Sequence, residues 1–154
     1  LHTTYRVLVE VLVTARQSGY SSPAVAFLCS TGLATIPLAT TKATKGLGVV
    51  VLADGISVSV DTRHVGPGCK AEGPGVTIAK DAAGEYDWEA LLACAKRIKD
   101  DTHETGETAA HVGADAAIEL HVLLRAIDAI HGDTETGDLF TDVSVTTPPR
   151  AGTP

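Results

Sequence analysis

In the C-terminal half of the chain, Asp87-Trp-Glu-Ala-Leu-Leu-Ala-Cys-Ala-Lys-Arg-Ile-Lys99 is followed by Thr108-Ala-Ala-His-Val112, by Ala117 to His131, and by Phe140-Thr-Asp-Val-Ser-Val145. The first segment has a helical period. Trp88, Leu91, Leu92, Ala95 and Ile98 fall on one face, and Glu89, Lys96, Arg97 and Lys99 on the other. Asp87 is placed to cap its start, and its basic residues gather near the end that the helix dipole makes negative. Thr108–Val112 is short, apolar and bounded by polar residues, which predicts a strand. Leu120, Leu123, Ile127 and Ile130 repeat the helical spacing up to Gly132, which is placed to stop the helix. Phe140–Val145 then predicts a closing strand. Helix, strand, helix and strand in this order imply two helices over a shared sheet.

Upstream, Val49-Val-Val-Leu52 and the alternating Ile56-Ser-Val-Ser-Val60 flank Asp54-Gly55 and predict a β-hairpin turning at that pair. Residues 63–86 are rich in Gly and Pro and read as an ordered loop, with a short strand around Val76-Thr-Ile78. Before the hairpin, Ser30–Gly46 reads as a linker. Val7, Leu8, Val11, Leu12 and Ala15 have helical spacing over Thr3–Ser18, with a Thr pair at the start and Gly19 at the end. Ala24-Val-Ala-Phe-Leu-Cys29 then suits a buried strand. Tyr5–Leu12 aligns without gaps on Leu120–Ile127, and each helix leads into a short apolar strand. A helix–strand pair cannot bury its own apolar face, so the first pair is expected to dock on the complete unit or on further chain. The expected fold is α/β in the α+β sense: a small two-layer sandwich with helices on one face of a mixed sheet. Its expected parts are residues 1–30 as the helix–strand end of a preceding similar domain, 31–46 as linker, 47–146 as the main domain and 147–154 as a disordered tail.

Composition narrows the function classes. Apolar residues make up 44% of the 154 and aromatics 4%, so the core must be assembled from Val, Leu, Ile and Ala. The net charge is −7, from 19 acidic and 12 basic residues. The bases are scattered, which argues against nucleic acid as a partner. No apolar run reaches the roughly 18 to 20 residues needed to span a bilayer. The lack of Met and the start at Leu1 lead us to expect an upstream segment in the natural chain.

Catalytic and metal motifs are weak. Ser30, Ser57 and Ser59 lie at a strand end and in a hairpin outside any Gly-x-Ser-x-Gly elbow, and Asp100-Asp101 ends an exposed helix. Gly66-Pro-Gly-Cys69 and Gly73-Pro-Gly75 lack the Lys-Ser/Thr of a phosphate loop. His2, His64, His103, His111, His121 and His131 show neither i, i+4 pairing nor Cys-x-x-Cys framing, so surface or strand-end roles are expected. No catalytic, cofactor-binding or metal-ligating residue is assigned.

Tyr86–Lys99, Gly113-Ala-Asp115 with Ala126-Ile-Asp-Ala-Ile130, and Leu139-Phe-Thr-Asp-Val143 together resemble the periplasmic domain of the ExbD/TolR family of biopolymer transport proteins, of the delta-proteobacterial type. The resemblance covers roughly residues 47 to 146. It implies a non-catalytic periplasmic component of a proton-motive-force-driven energy-transduction complex, without cofactors. Such a domain is anchored to the inner membrane by an N-terminal helix and is paired with itself as a homodimer. Its implied partners are an ExbB/TolQ-like membrane protein and a TonB/TolA-like protein. The competing expectation is a stand-alone periplasmic α/β binding module for metal or peptidoglycan. In an oxidising compartment, a Cys69–Cys94 bond would pin the Gly/Pro-rich loop to the first helix of the main domain and add about 2 to 4 kcal/mol. The alternative is that all three cysteines simply pack, and Cys29 reads as a buried free thiol.

Overall fold

The fold is described from a computed structural model covering residues 4–21, 24–29, 32–37, 45–101, 107–133 and 137–146, without the side chains of 25–29, 32–36 and 133. Strands β3 (Leu47–Leu52) and β4 (Gly55–Val60) form the antiparallel hairpin at the centre of the main sheet. On one side of it β7 (Ala109–Ala114) runs parallel to β3, and β10 (Asp142–Val145) runs parallel to β7. On the other side β5 (Arg63–Val65) and β6 (Ile78–Ala79) both pair antiparallel with β4. The sheet order is therefore β10-β7-β3-β4-β5 with β6 beside β4, a mixed sheet in an α+β fold.

The period of two along each strand decides which face is covered. Register places Leu47 beside Val60 and Ala110, Val49 beside Val58 and Val112, and Val51 beside Ile56 and Ala114. Nearly all of these residues are buried. Against them pack α2 (Trp88–Asp101), through Leu91, Cys94, Ala95 and Ile98, and α3 (Leu120–His131), through Leu123, Ala126, Ile127 and Ile130. Burying each larger aliphatic side chain contributes about 1.5–3 kcal/mol, so these helices owe their stability to this face more than to propensity. Asp87 caps α2 as expected, its carboxylate accepting the Ala90 amide at 2.9 Å. Gly132, at φ +102°, ends α3 and enters β8 (Gly132–Asp133), which pairs with β9 (Gly137–Asp138).

The turn of the central hairpin lies one residue earlier than Asp54-Gly55. Leu52 pairs directly with Gly55, so Ala53 and Asp54 make the turn. Gly55 is needed for a different reason. A Cβ there would sit 2.3 Å from the Ile78 carbonyl oxygen, so the glycine lets β6 approach. The positive-φ turn is the next one, where Asp61 (φ 47°) and Thr62 (φ 72°) join β4 to β5. Two segments also differ from the expected boundaries. Gly32–Pro37, within the expected linker, is β2, paired antiparallel with β1 (Ala24–Cys29), and β2 runs beside β10. Leu33, Thr35 and Ile36 supply the strand propensity that the neighbouring Thr and Gly residues obscure. Helix α3 starts at Leu120, because Ala116–Glu119 form a turn closed by the Ile118 amide on the Asp115 carbonyl.

Helix α1 (Tyr5–Gln17) shares the core of the main sheet. The Tyr5 amide donates to the Ile118 carbonyl at 2.7 Å, and Thr4 forms a bridge with Glu119, so α1 begins beside the start of α3. Tyr5, Val9 and Leu12 are buried. The Tyr5 ring reaches the sheet side that carries Val50. A Cβ built at Gly113, on that side, would lie 3.7 Å from the Tyr5 hydroxyl and 2.6 Å from Thr146 Oγ1. The helix–strand pair thus docks on the complete unit, at the β7–β10 corner. Its N-cap Thr4 makes no side-chain cap bond, so Tyr5 burial and the backbone bonds to the 115–119 turn hold this end.

Candidate interaction surface

The sheet face away from α2 and α3 is assembled from the alternate residues of the same strands. Ser144, His111, Gly48, Ser59 and His64 are register partners in one row across β10, β7, β3, β4 and β5. Val50 and Ser57 continue the next row, and all of these residues are half-buried. This alternation of hydroxyls and imidazoles with the buried valines leaves one face polar while the other carries the core.

Both histidines of this face are fully engaged. His64 Nδ1 lies 2.7 Å from the Gly73 carbonyl and its Nε2 lies 2.7 Å from Ser57 Oγ. A carbonyl only accepts, so Nδ1–H donates to it and Nε2 accepts the Ser57 hydroxyl proton. His111 repeats the arrangement with its nitrogens exchanged. Its Nε2 donates to the Lys45 carbonyl at 3.0 Å, and its Nδ1 accepts from Ser144 Oγ at 2.7 Å. A serine against an oriented imidazole is also the first element of a nucleophile–base pair. Here its recurrence at two sheet positions, each time ending on the carbonyl of an adjoining segment, assigns both rings as ties between strand and loop.

The other histidines are not brought together. His121 pairs with Glu119 at 3.0 Å on the exposed side of α3. His131 Nδ1 is buried without a hydrogen-bond partner and lies 3.8 Å from an Asp138 carboxylate oxygen. His2, His103 and Ser30 lie outside the described residues, as does the side chain of Cys29, whose backbone ends β1. No group of three or more His, Cys, Asp or Glu that could hold a metal occurs among the described residues, and none of their helices is long and apolar enough to cross a membrane. Asp100 and Asp101 are exposed at the end of α2.

Cys69 and Cys94 are joined by a disulfide, with their Cα atoms 5.7 Å apart. The bond ties the turn at Pro67–Cys69 to the buried face of α2. No motif of the sequence marks Thr77, yet it is the one buried polar side chain among the described residues. Its hydroxyl accepts the Val58 amide at 2.9 Å and donates to the Val65 carbonyl at 2.5 Å. No local periodicity marks such a residue, because its role depends on two strands distant in sequence.

The outer surfaces differ by element. Helix α2 exposes Glu89, Lys96 and Arg97, and α3 exposes His121 and Arg125. Helix α1 and its following turn expose Val7 (47%), Val11 (60%) and Tyr20 (69%), the large apolar side chains most open to solvent among the described residues. Arg6 pairs with Glu10 at 2.7 Å beside them, and that carboxylate raises the Arg6 pKa. Burial raises the Tyr5 phenol well above the ordinary tyrosine value, because the charged phenolate would lose its hydration, and the nearby Thr146 hydroxyl offsets only part of that rise. A scan against protein-family models finds no match to the chain, and neither does a search of curated proteins.

Proposed function

We propose that this chain is the non-catalytic, ExbD/TolR-like periplasmic part of a proton-motive-force-driven energy-transduction complex, and that it works through protein contacts. The observation that carries the reading is the arrangement of α2, β7, α3 and β10: two helices over one face of a mixed sheet, in the segments whose wording resembles that family. The other face carries half-buried hydroxyls, imidazoles and Val50, and this polar lining supports contact with a protein partner. The Cys69–Cys94 bond fits an oxidising compartment such as the periplasm. In this reading the domain is held near the inner membrane by an upstream helix, pairs with a second copy, and relays motion from an ExbB/TolQ-like protein to a TonB/TolA-like one.

The test is made on the parent gene product. Upstream of Leu1 we expect one apolar helix of about 20 residues with an embedded Asp. Cross-linking in cells should join the domain to a multi-helix membrane partner in a manner abolished by a protonophore. A product released to the periplasm by cleavage of a signal peptide, with no membrane partner, would instead fit a stand-alone binding module and end this proposal.

A further inference from the structure

The outer edge of the main sheet is one strand cut in two. β5 lies against Val58–Val60 and β6 against Gly55–Ile56, both antiparallel, so the two pieces run end to end along β4. Residues 66–77 leave this line after Val65 and return to it before Ile78. The Thr77 hydroxyl fills the break, bonding the Val58 amide on one strand and the Val65 carbonyl on the other. The excursion also straddles the sheet. Its first turn reaches the helix side, where Cys69 is bonded to Cys94 of α2. Its middle returns to the polar side, where the Gly73 carbonyl accepts from His64.

The fastenings of this segment are unequal. Gly66, Cys69 and Thr77 are its only buried residues, so it has almost no apolar side chain to hold it down. Its internal hydrogen bonds, Gly66 amide to Ala71 carbonyl at 2.7 Å and Gly68 amide to Thr77 carbonyl at 2.8 Å, are individually weak once water competes. The Arg63–Glu72 ion pair is solvent-exposed. The disulfide is therefore the one fastening that thermal opening cannot release.

We propose that residues 66–77 form a redox-operated strap over the sheet edge. With the bond closed, the outer side of β4 is occupied from Gly55 to Val60. With it reduced, the strap lifts and the Thr77 bond to the Val58 amide is lost, while β5 and the rest of the sheet stay paired. The reductant is a dithiol. One of its thiolates attacks the Cys69 sulfur and releases Cys94 as a thiolate, which takes up a proton. The second thiol then closes on the mixed disulfide and frees Cys69, so two electrons leave the dithiol as its own disulfide. This inference is independent of the functional reading above, since it uses only the edge and its fastenings.

The test is amide hydrogen exchange on the whole chain with and without dithiothreitol, alongside the Cys69→Ser/Cys94→Ser variant in case the reductant reaches the buried bond slowly. The expected result is exchange at least tenfold faster at Val58 in both the reduced protein and the variant, with Val60, Val49 and Val112 unchanged. Unchanged protection at Val58 in the variant would overturn the proposal. So would acceleration of equal size at Val49 and Val112, because the bond would then act on global unfolding alone.

Discussion

Helices α1 and α3 carry matching apolar patterns but bury different sides of them. In the gapless alignment Leu12 and Ile127 coincide and both are buried. Leu123 is fully buried where Leu8 is only partly so, and Ala126 is fully buried where Val11 is 60% exposed. Conversely, Tyr5 and Val9 are buried where Leu120 and Leu124 are half-exposed. The buried stripe of α1 is thus turned about the helix axis relative to that of α3. The cause is position: α3 lies on the valine face of the sheet, whereas α1 hangs from the 115–119 turn and sends Tyr5 toward Gly113. A shared apolar pattern fixes that a helix is amphipathic, while the surface it meets fixes which residues are used.

Substitutions at aligned positions should separate the two helices, and the widest gap is at the leucines. Leu123→Ala should cost about 3–5 kcal/mol in urea unfolding, and Leu8→Ala about 1 kcal/mol. Equal losses would mean that α1 packs as deeply as α3. At the next aligned pair, Ala126→Val inserts volume into the full interface beneath α3 and should cost about 1–3 kcal/mol. Val11→Ala at the matching site should change stability by less than about 0.5 kcal/mol, since that side chain faces outward.

Tyr5 gives the comparison a pH dependence. Its pKa is raised in the folded state, so its contribution is fully present below the unfolded value of about 10 and is lost as pH rises above it. Wild type should therefore lose stability relative to Tyr5→Phe by about 1.4 kcal/mol per pH unit above pH 10, as read by denaturant midpoints. Parallel pH profiles for the two proteins would show that the phenol is open to water. Near neutral pH the Tyr5→Phe variant should match wild type within about 0.5 kcal/mol or exceed it, because the hydroxyl it removes lacks a well-formed partner.

The parts of the fold that were legible in the sequence are those set by local periodicity: α2 with its Asp87 cap, the apolar face of α3, and the two strands of the central hairpin. What was not legible depends on distant partners. β2 needed β1 to reveal it, and three-residue β5 is a strand because Val58–Val60 lies beside it. The Asp54-Gly55 signal was genuine in composition, but the glycine serves the approach of β6, while Asp61 and Thr62 carry the positive φ without glycine. On the helix side, the context of Cys69 and Cys94 in the sequence leaves their pairing open. The ties made by His64, His111 and Thr77 are not legible there, because each ends on a backbone group whose position only the folded sheet defines.

Helix α1 packs into the same hydrophobic core as the sheet and α2. Trp88, the only tryptophan, sits on α2 and reports on that core from a different element. Urea unfolding of Tyr5→Ala followed by Trp88 fluorescence should show a single transition with stability lowered by about 3–5 kcal/mol. A midpoint and slope unchanged from wild type would show that α1 lies outside the core, and would contradict its placement at the β7–β10 corner.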